Sequence, residues 1–320
     1  MNGMLAGIIG LLILLVLLFA GMHIGIAMSL VGFFGIFIMK YQTFKVLPEG
    51  GLAKAFSSAM GVFMSGPFAS CSKESLVVIP MFMFMGICCY YAGISQDLYA
   101  ACYKWVSRIR GGLGIATEVA CALFGAICGS ATATTASMGK ICLPEMDRYN
   151  YKRSFSAGAI SAGGTLGILI PPSTGFMLYG INAGVGVGPM FIAGIIPGIL
   201  LTICYSAVVV GICMIDPEAG PKGPSFPMKE KLRALAGVLP VLVLFVMVLG
   251  GILLGWCSAT EGGAVGAFGA LIFMAAKKKL TLRNLIAALK ETLETTAMIF
   301  MIMIGSDLLG QFISLTGFSN

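Results

Sequence analysis

Residues 129–146 read GSATATTASMGKICLPEM. Nine small residues in succession, three of them threonine, follow the apolar run 113–128 and precede Pro144 and Glu145. In hydrocarbon, each backbone N–H or C=O without a partner costs several kcal/mol. Non-helical backbone at membrane depth therefore survives only when buried in protein or lining a wet cavity. A hydroxyl-rich run without bulky side chains is a poor surface to face lipid. It fits the tip of a re-entrant hairpin, where hydroxyls and freed carbonyls point at one spot.

The surroundings are membrane. Of 320 residues 58% are hydrophobic and 10% charged, with mean hydropathy +0.98, where soluble domains carry about 25% charge. Apolar stretches at 4–20, 26–39, 75–94, 113–128, 154–170, 185–215, 234–256, 261–276 and 295–313 approach or exceed the ~20 residues that cross a ~30 Å core. The expected class is an all-α polytopic membrane protein. The run 4–20 does not read as a cleaved signal peptide, because no basic region precedes it and no small-residue cleavage site follows it. The net charge of +7 comes from Lys and Arg collected in loops, so nucleic acid is not implied. Ten cysteines, several inside apolar runs, form no Cys-x-x-Cys or His-bearing metal spacing and read as small buried hydrophobes. His23, the only histidine, lies in a Gly-flanked turn unsuited to a ligand.

Residues 4–39 are too long for one span, at about 54 Å of helix. The break belongs at Gly21–Gly25, giving a helical hairpin. A second hairpin joins 234–256 to 261–276 through the turn WCSAT. Its ends carry Lys229, Lys231 and Arg233 on one side and Lys277, Lys278 and Lys279 on the other, so both ends share a face that the Lys/Arg bias makes cytoplasmic. Set 21–38 over 255–272, and Gly21/Gly255, Val31/Val265, Gly32/Gly266, Phe34/Phe268, Gly35/Gly269 and Ile38/Ile272 coincide. This is the mark of an internal repeat. Transporter repeats are often inverted around a midplane site. Inversion would put the two turns on opposite faces, whereas Lys40, Lys45 and Lys54 after the first hairpin argue for the same face.

Between the repeats, 216–233 holds four prolines and four basic residues and reads as a linker. Residues 95–112 mix Lys104, Arg108 and Arg110 with Leu98, Trp105 and Val106, the pattern of an arm helix lying in the interface. A second irregular segment is SAGGTLGILIPPST, 161–174. Nine of the eleven residues from Ala157 to Gly167 are Gly, Ala, Ser or Thr, and Pro171–Pro172 then remove two donors and break the helix. Discontinuous helices are a recurring device for binding substrate and coupling ion. Close packing through small residues accounts for Gly32, Gly35, Gly266 and Gly269, but poorly for a Thr-rich run followed by a Gly-Thr/Pro-Pro break. Glu118, Glu261 and Asp307 lie in or beside apolar runs and are candidates by default, though no second acid nearby supports a proton relay.

These two motifs together strongly resemble the large membrane subunit of tripartite ATP-independent periplasmic (TRAP) transporters, the DctM-like permeases, and GWCSATEGGAVGAF resembles the start of that family's second half. Glu261 is kept there, with Gly262 and Gly263 in place of alanines. The resemblance runs to about residue 318. It implies an elevator-type fold with inverted repeats, and sodium as the coupling ion with no other cofactor. It further implies a small organic acid as substrate, a small DctQ-like membrane subunit and a DctP-like periplasmic solute-binding protein as partners, and lipid of the cell inner membrane around them. The implied sodium site takes Ser130, Thr132 and Thr134 at the hairpin tip with unwound backbone at Gly164, Thr165 and Gly167. The implied substrate side takes Thr135, Pro171, Pro172 and Ser173. In the wider superfamily's Ser-Asn-Thr signature, Ala131 stands at the Asn position, so a ligand there must be backbone or a neighbouring hydroxyl.

The resulting domain expectation is scaffold-type helices at 1–94, the arm at 95–112 and a transport-type segment at 113–184. A transmembrane helix at 185–215, the linker at 216–233 and the start of a second repeat at 234–320 follow. At the repeat offset, second copies of tip and break fall near 363 and 405, so the expectation is a truncated permease, inactive in uptake until its C-terminal portion is supplied. No Gly-x-x-x-x-Gly-Lys-Ser/Thr appears, so an ion gradient must drive any pumping. Two unequal broken segments fit alternating access better than the symmetric filter of a passive channel. One histidine, no metal spacing and no acid pair give a membrane enzyme little support.

Overall fold

The computed structural model describes residues 3–44 and 51–317; Lys45 lies outside them. Among the described residues the chain is all-helical, with thirteen α-helices and one 3-10 turn at Glu74–Val77. Seven helices are long and apolar enough to cross a membrane. Ile196, Leu200 and Ile203 on one of them are 60–77% exposed, a surface that water would not tolerate in so extended a patch. The chain divides into two compact units, 1–76 with 294–320, and 77–293.

In the first unit, α1 (Gly3–Phe19) and α2 (Ile24–Phe44) form the expected hairpin. Gly21 has φ +83°, the left-handed conformation that closes a helix end at little cost only for glycine. The core gathers Val31, Ile36, Ala59, Leu309 and Phe312. Gly32 lies directly on the Leu308 backbone, the close approach that small residues permit between membrane helices. Helix α3 (Gly51–Cys71) was not expected. Lys54 and several serines dilute its apolar character, yet Phe56 and Phe63 pack edge-on against Phe33.

In the second unit, α4 (Val78–Tyr91), α5 (Ile94–Val106), α6 (Gly112–Cys128), α7 (Ala131–Arg148) and α8 (Arg153–Leu169) are followed by α9 (Thr174–Ala183), α10 (Val187–Ile215), α11 (Met228–Leu253), α12 (Ala259–Ala276) and the first turns of α13 (Leu282–Thr316). Helix α6 is the centre, with 15 of its 17 residues buried. Helix α4, grouped in the sequence with 1–94, packs here through Phe82 and Met85 against Gly263 and Gly266 of α12.

Three expectations need correction. The arm helix stops at Val106, and Leu98, expected at headgroup level, is fully buried within this unit. The amphipathic pattern of α5 places its apolar side on protein. Second, 216–227 is no free linker. Gly111 N–H donates to the Gly220 carbonyl at 3.0 Å, Gly223 N–H to Ser107 at 2.9 Å, and Lys152 N–H to Ala219 at 3.3 Å. The Tyr151 hydroxyl donates to the Pro221 carbonyl at 2.9 Å and accepts from Leu113 N–H at 3.2 Å. Third, α8 does not unwind at Gly164, Thr165 or Gly167. It stays helical through Leu169, and the break occupies 170–173.

Candidate functional site

The hairpin tip is shorter than its composition implied. Helix α6 ends at Gly129 (φ +63°) and Ser130, in extended backbone, caps α7. Thr132, Thr134 and Thr135 therefore stand on the first turns of a helix. The Ser130 hydroxyl accepts from Ala133 N–H at 3.4 Å and lies 3.1 Å from the Thr132 hydroxyl. Thr135 donates back to the Ala131 carbonyl at 2.8 Å, the self-satisfying bond of a hydroxyl inside a helix. Thr134 is different. Its Oγ1 is buried and meets no partner at hydrogen-bonding geometry; its polar neighbour is the Cys128 thiol, a weak acceptor.

The second break has the same design. Ser173 caps α9, accepting from Phe176 N–H at 3.4 Å and donating to the Ile168 carbonyl. Pro171 and Pro172 have no N–H, so the carbonyls of Gly167 and Ile168 lose their helical donors. Ser173 serves the latter. Gly167 is then left with a freed carbonyl beside the hairpin tip.

Tip and break touch. Thr174 donates to the Gly129 carbonyl twice, through N–H at 3.0 Å and its hydroxyl at 2.8 Å. A Cβ on Gly125 would lie 2.6 Å from the Gly167 Cα, and one on Gly129 would lie 2.6 Å from the Pro172 carbonyl oxygen. Gly164 and Gly167 abut Thr135 and Thr134. Four helix ends thus meet: the C-termini of α6 and α8, rich in carbonyls, and the N-termini of α7 and α9, rich in N–H groups. Carbonyl ends favour a cation and N-termini an anion. Of the residues named from the sequence, Ser130, Thr132, Thr134, Thr135, Gly164, Gly167, Pro171, Pro172 and Ser173 come together. Thr165 does not. It is exposed, donates to Ala162 and lies 3.2 Å from the Tyr205 hydroxyl of α10.

One residue was passed over in the sequence, Lys140, and one acid named there, Glu118, now has a setting. Lys140 lies with Thr135, Gly139 and Ser161 on a groove of about 510 Å3 between α7 and α8. It stands inside the opening motif and is the only charged residue from 129 to 144, which is the signal that would have found it. Glu118, on α6, is 1% exposed and lines a cavity of about 260 Å3 with Phe155 and Tyr205. Among the described residues no group of three or more His, Cys, Asp or Glu gathers in a metal-binding arrangement.

A family profile described as "Tripartite ATP-independent periplasmic transporter, DctM component" matches residues 11–320. The chain belongs to this family. Its relatives include a C4-dicarboxylate TRAP transporter large permease protein of Pseudomonas aeruginosa, 34% identical over 74% of this chain and 55% of the relative. An ectoine TRAP transporter large permease protein of Halomonas elongata is 30% identical over 86% of this chain and 60% of the relative. A sialic acid TRAP transporter large permease protein of Vibrio cholerae is 28% identical over 93% and 66%. The chain spans about half the length of the Pseudomonas relative. These relatives are permease proteins of transporters, not enzymes, and the DctM-family chain is a multi-pass inner-membrane protein.

Proposed function

We propose that this DctM-family chain forms the membrane path of a sodium-coupled TRAP importer for a small organic acid, C4-dicarboxylate-like or a sugar acid. It would receive its substrate from a DctP-like periplasmic binding protein and work beside a small DctQ-like membrane subunit. The observation that carries this reading is the meeting of four helix ends around Gly129 and Pro172. In it, Ser130, Thr132 and Thr134 with the freed Gly167 carbonyl are the sodium ligands, since a hard cation prefers neutral oxygens. Gly164 serves by lacking a side chain, which lets α7 approach α8. Thr135, Ser173 and the Pro171–Pro172 corner shape the acid's side, with Lys140 and the N-termini of α7 and α9 as counter-charges.

Thr134 gives the cleanest test. Its hydroxyl makes no hydrogen bond of full geometry in the chain, and its neighbour, the Cys128 thiol, is a weak partner, so Thr134→Val removes a ligand without orphaning a strong polar group. In detergent, sodium is expected to raise the unfolding temperature above that in equimolar potassium. At 100-fold excess over the dissociation constant the gain is about 2.7 kcal/mol, a shift of a few degrees. Thr134→Val should abolish the shift while leaving the potassium curve in place. In the assembled transporter the same variant should raise the sodium concentration needed for half-maximal uptake. Equal sodium and potassium curves for the unaltered chain, or a sodium shift kept by Thr134→Val, would sink the site. Accumulation of the acid against its gradient separates a coupled importer from a passive channel.

A further inference from the structure

One end of the second unit carries a large excess of positive charge. The turn after α5, the α7–α8 turn, the segment 216–227 and the start of α11 meet there, joined by the hydrogen bonds of Gly111 to Gly220 and Lys152 to Ala219 and by Lys231 over the Trp105 ring; the end of α12 adds its lysines at the start of α5, where Lys277 pairs with Asp97. Some of these cations are neutralised by carboxylates: Lys152 by Asp216, Arg153 by Asp147, Arg148 by Glu145 and Lys277 by Asp97. Lys104, Arg108 and Lys231 have no carboxylate within ion-pair distance among the described residues. Two of them rest on aromatic faces instead. Lys104 Nζ is 5.7 Å from the centre of the Phe226 ring, and Lys231 Nζ is 5.7 Å from that of Trp105. An aromatic face fixes an ammonium in place without cancelling its charge.

Apolar side chains stand exposed beside these cations. Trp105 is 42% exposed, Ile109 45%, Leu232 57% and Met228 61%. A small soluble anion satisfies the charges but leaves this apolar rim in water, and an acidic protein segment has no acyl chain to cover it. An amphiphile with an anionic head satisfies both, and a tryptophan at such a junction is the usual marker of headgroup level.

We propose that the edge between α5 and α11 binds an anionic phospholipid, its phosphate-bearing headgroup held by Lys104, Arg108 and Lys231 and its upper acyl chain resting against Trp105, Ile109 and Leu232. Lipid is the source of the anion because the rim is apolar. The site is separate from the tip and break, and it stands whether or not the chain carries sodium.

The two tryptophans make the test. Trp105 is at this edge, while Trp256 lies in the turn between α11 and α12 and is 81% exposed at the other end of α11. A Trp256→Phe chain is reconstituted in phosphatidylcholine vesicles holding a minor fraction of either brominated phosphatidylglycerol or brominated phosphatidylcholine, and Trp105 emission is compared with unbrominated vesicles. The expected result is markedly stronger quenching by the brominated anionic lipid. Lys104→Gln with Arg108→Gln leaves Lys231 under the indole and should cut local enrichment of the anionic lipid roughly fivefold per charge removed. A Trp105→Phe chain should show Trp256 quenched alike by both lipids. Equal quenching of Trp105 by both lipids, selectivity that survives the double substitution, or the same selectivity at Trp256 would each overturn the assignment. So would loss of the selectivity on adding inorganic phosphate at constant ionic strength, because the site would then be one for the free anion. A double variant that keeps its helical circular dichroism and elutes as the unaltered chain does rules out misfolding as the cause.

Discussion

At the scale of single residues, the candidate site depends on what Gly167 of α8 does not carry. A Cβ at Gly167 would sit 2.9 Å from both the Ser130 carbonyl oxygen and the Thr134 Cβ. Main chain at a capped helix start cannot move aside as a side chain does. Gly167→Ala is therefore expected to destabilise the second unit by about 1–3 kcal/mol, the cost of overpacking a filled site, and to weaken the sodium response. Gly158, nine residues earlier on the same helix, has no atom within 4 Å of where its Cβ would be. Gly158→Ala should be neutral or stabilise by up to about 1 kcal/mol through helix propensity. Thermal unfolding of both variants in detergent checks the pair; equal effects would mean that α7 does not lie against Gly167. The same glycines explain where the sequence misled. A run of Gly, Ala, Ser and Thr marks either unwound backbone or close helix contact. Without the partner helix in view, the run at 157–167 read as the former and is in fact the latter. The true break follows the prolines, whose missing N–H groups made that part legible.

At the scale of elements, 216–227 acts as a strap holding the turn after α5 to the turn before α8. Composition reads 216–233, with its four prolines and four basic residues, as a linker; nothing in the sequence reveals that Gly220 and Pro221 meet Gly111 and Tyr151. Burial pushes the Tyr151 phenol up to about 12, so it stays a neutral donor to Pro221 across working pH. The outer end is the exposed pair of Lys152 Nζ and Asp216 at 2.6 Å. Hydrogen bonding to Lys152 holds the Asp216 carboxyl below its usual range, and the same bond raises the Lys152 ammonium. A carboxylate lowered in the folded state stabilises above its unfolded pKa of about 3.9 and loses that contribution as pH falls through the folded value. A raised lysine stabilises below about 10.4 and loses it as pH rises through the folded value. The pair should therefore hold the strap evenly from about pH 5 to pH 9. Protection of the Gly111 and Gly223 amides from hydrogen exchange, corrected for intrinsic rates, should be flat across that window. Asp216→Asn should lower protection at the strap but not in α6. Because the pair is solvent-exposed, the effect belongs to local opening rather than to global stability. Unchanged protection in Asp216→Asn would show that the backbone bonds alone hold the strap.

At the scale of the whole molecule, the hairpins were the most legible feature, and for a physical reason. Helix length against membrane thickness demands a turn, and glycine supplies it. The offset of 234 pairs Gly21 with Gly255, and both adopt positive φ, +83° and +73°, two residues beyond the ends of α1 and α11. Both hairpins thus turn through a glycine in the same left-handed conformation. The hairpin in the second unit also fixes a topology that can be measured. Helix α12 has 18 residues, about 27 Å of helix, close to the ~30 Å of hydrocarbon. The turn between α11 and α12, residues 254–258, contains no Lys or Arg, whereas Lys229, Lys231, Arg233, Lys277, Lys278 and Lys279 crowd the opposite ends. Charge bias puts those ends in the cytoplasm, so Trp256 faces the periplasm. A membrane-impermeant maleimide applied to cells with a permeabilised outer membrane should label Trp256→Cys but leave Lys278→Cys unlabelled, each in a background with the native cysteines replaced. Lysing the inner membrane should expose Lys278→Cys. The reverse pattern would turn the unit over and carry the basic α5–α11 edge to the periplasmic leaflet with it. Labelling of both from outside would mean that α12 does not cross.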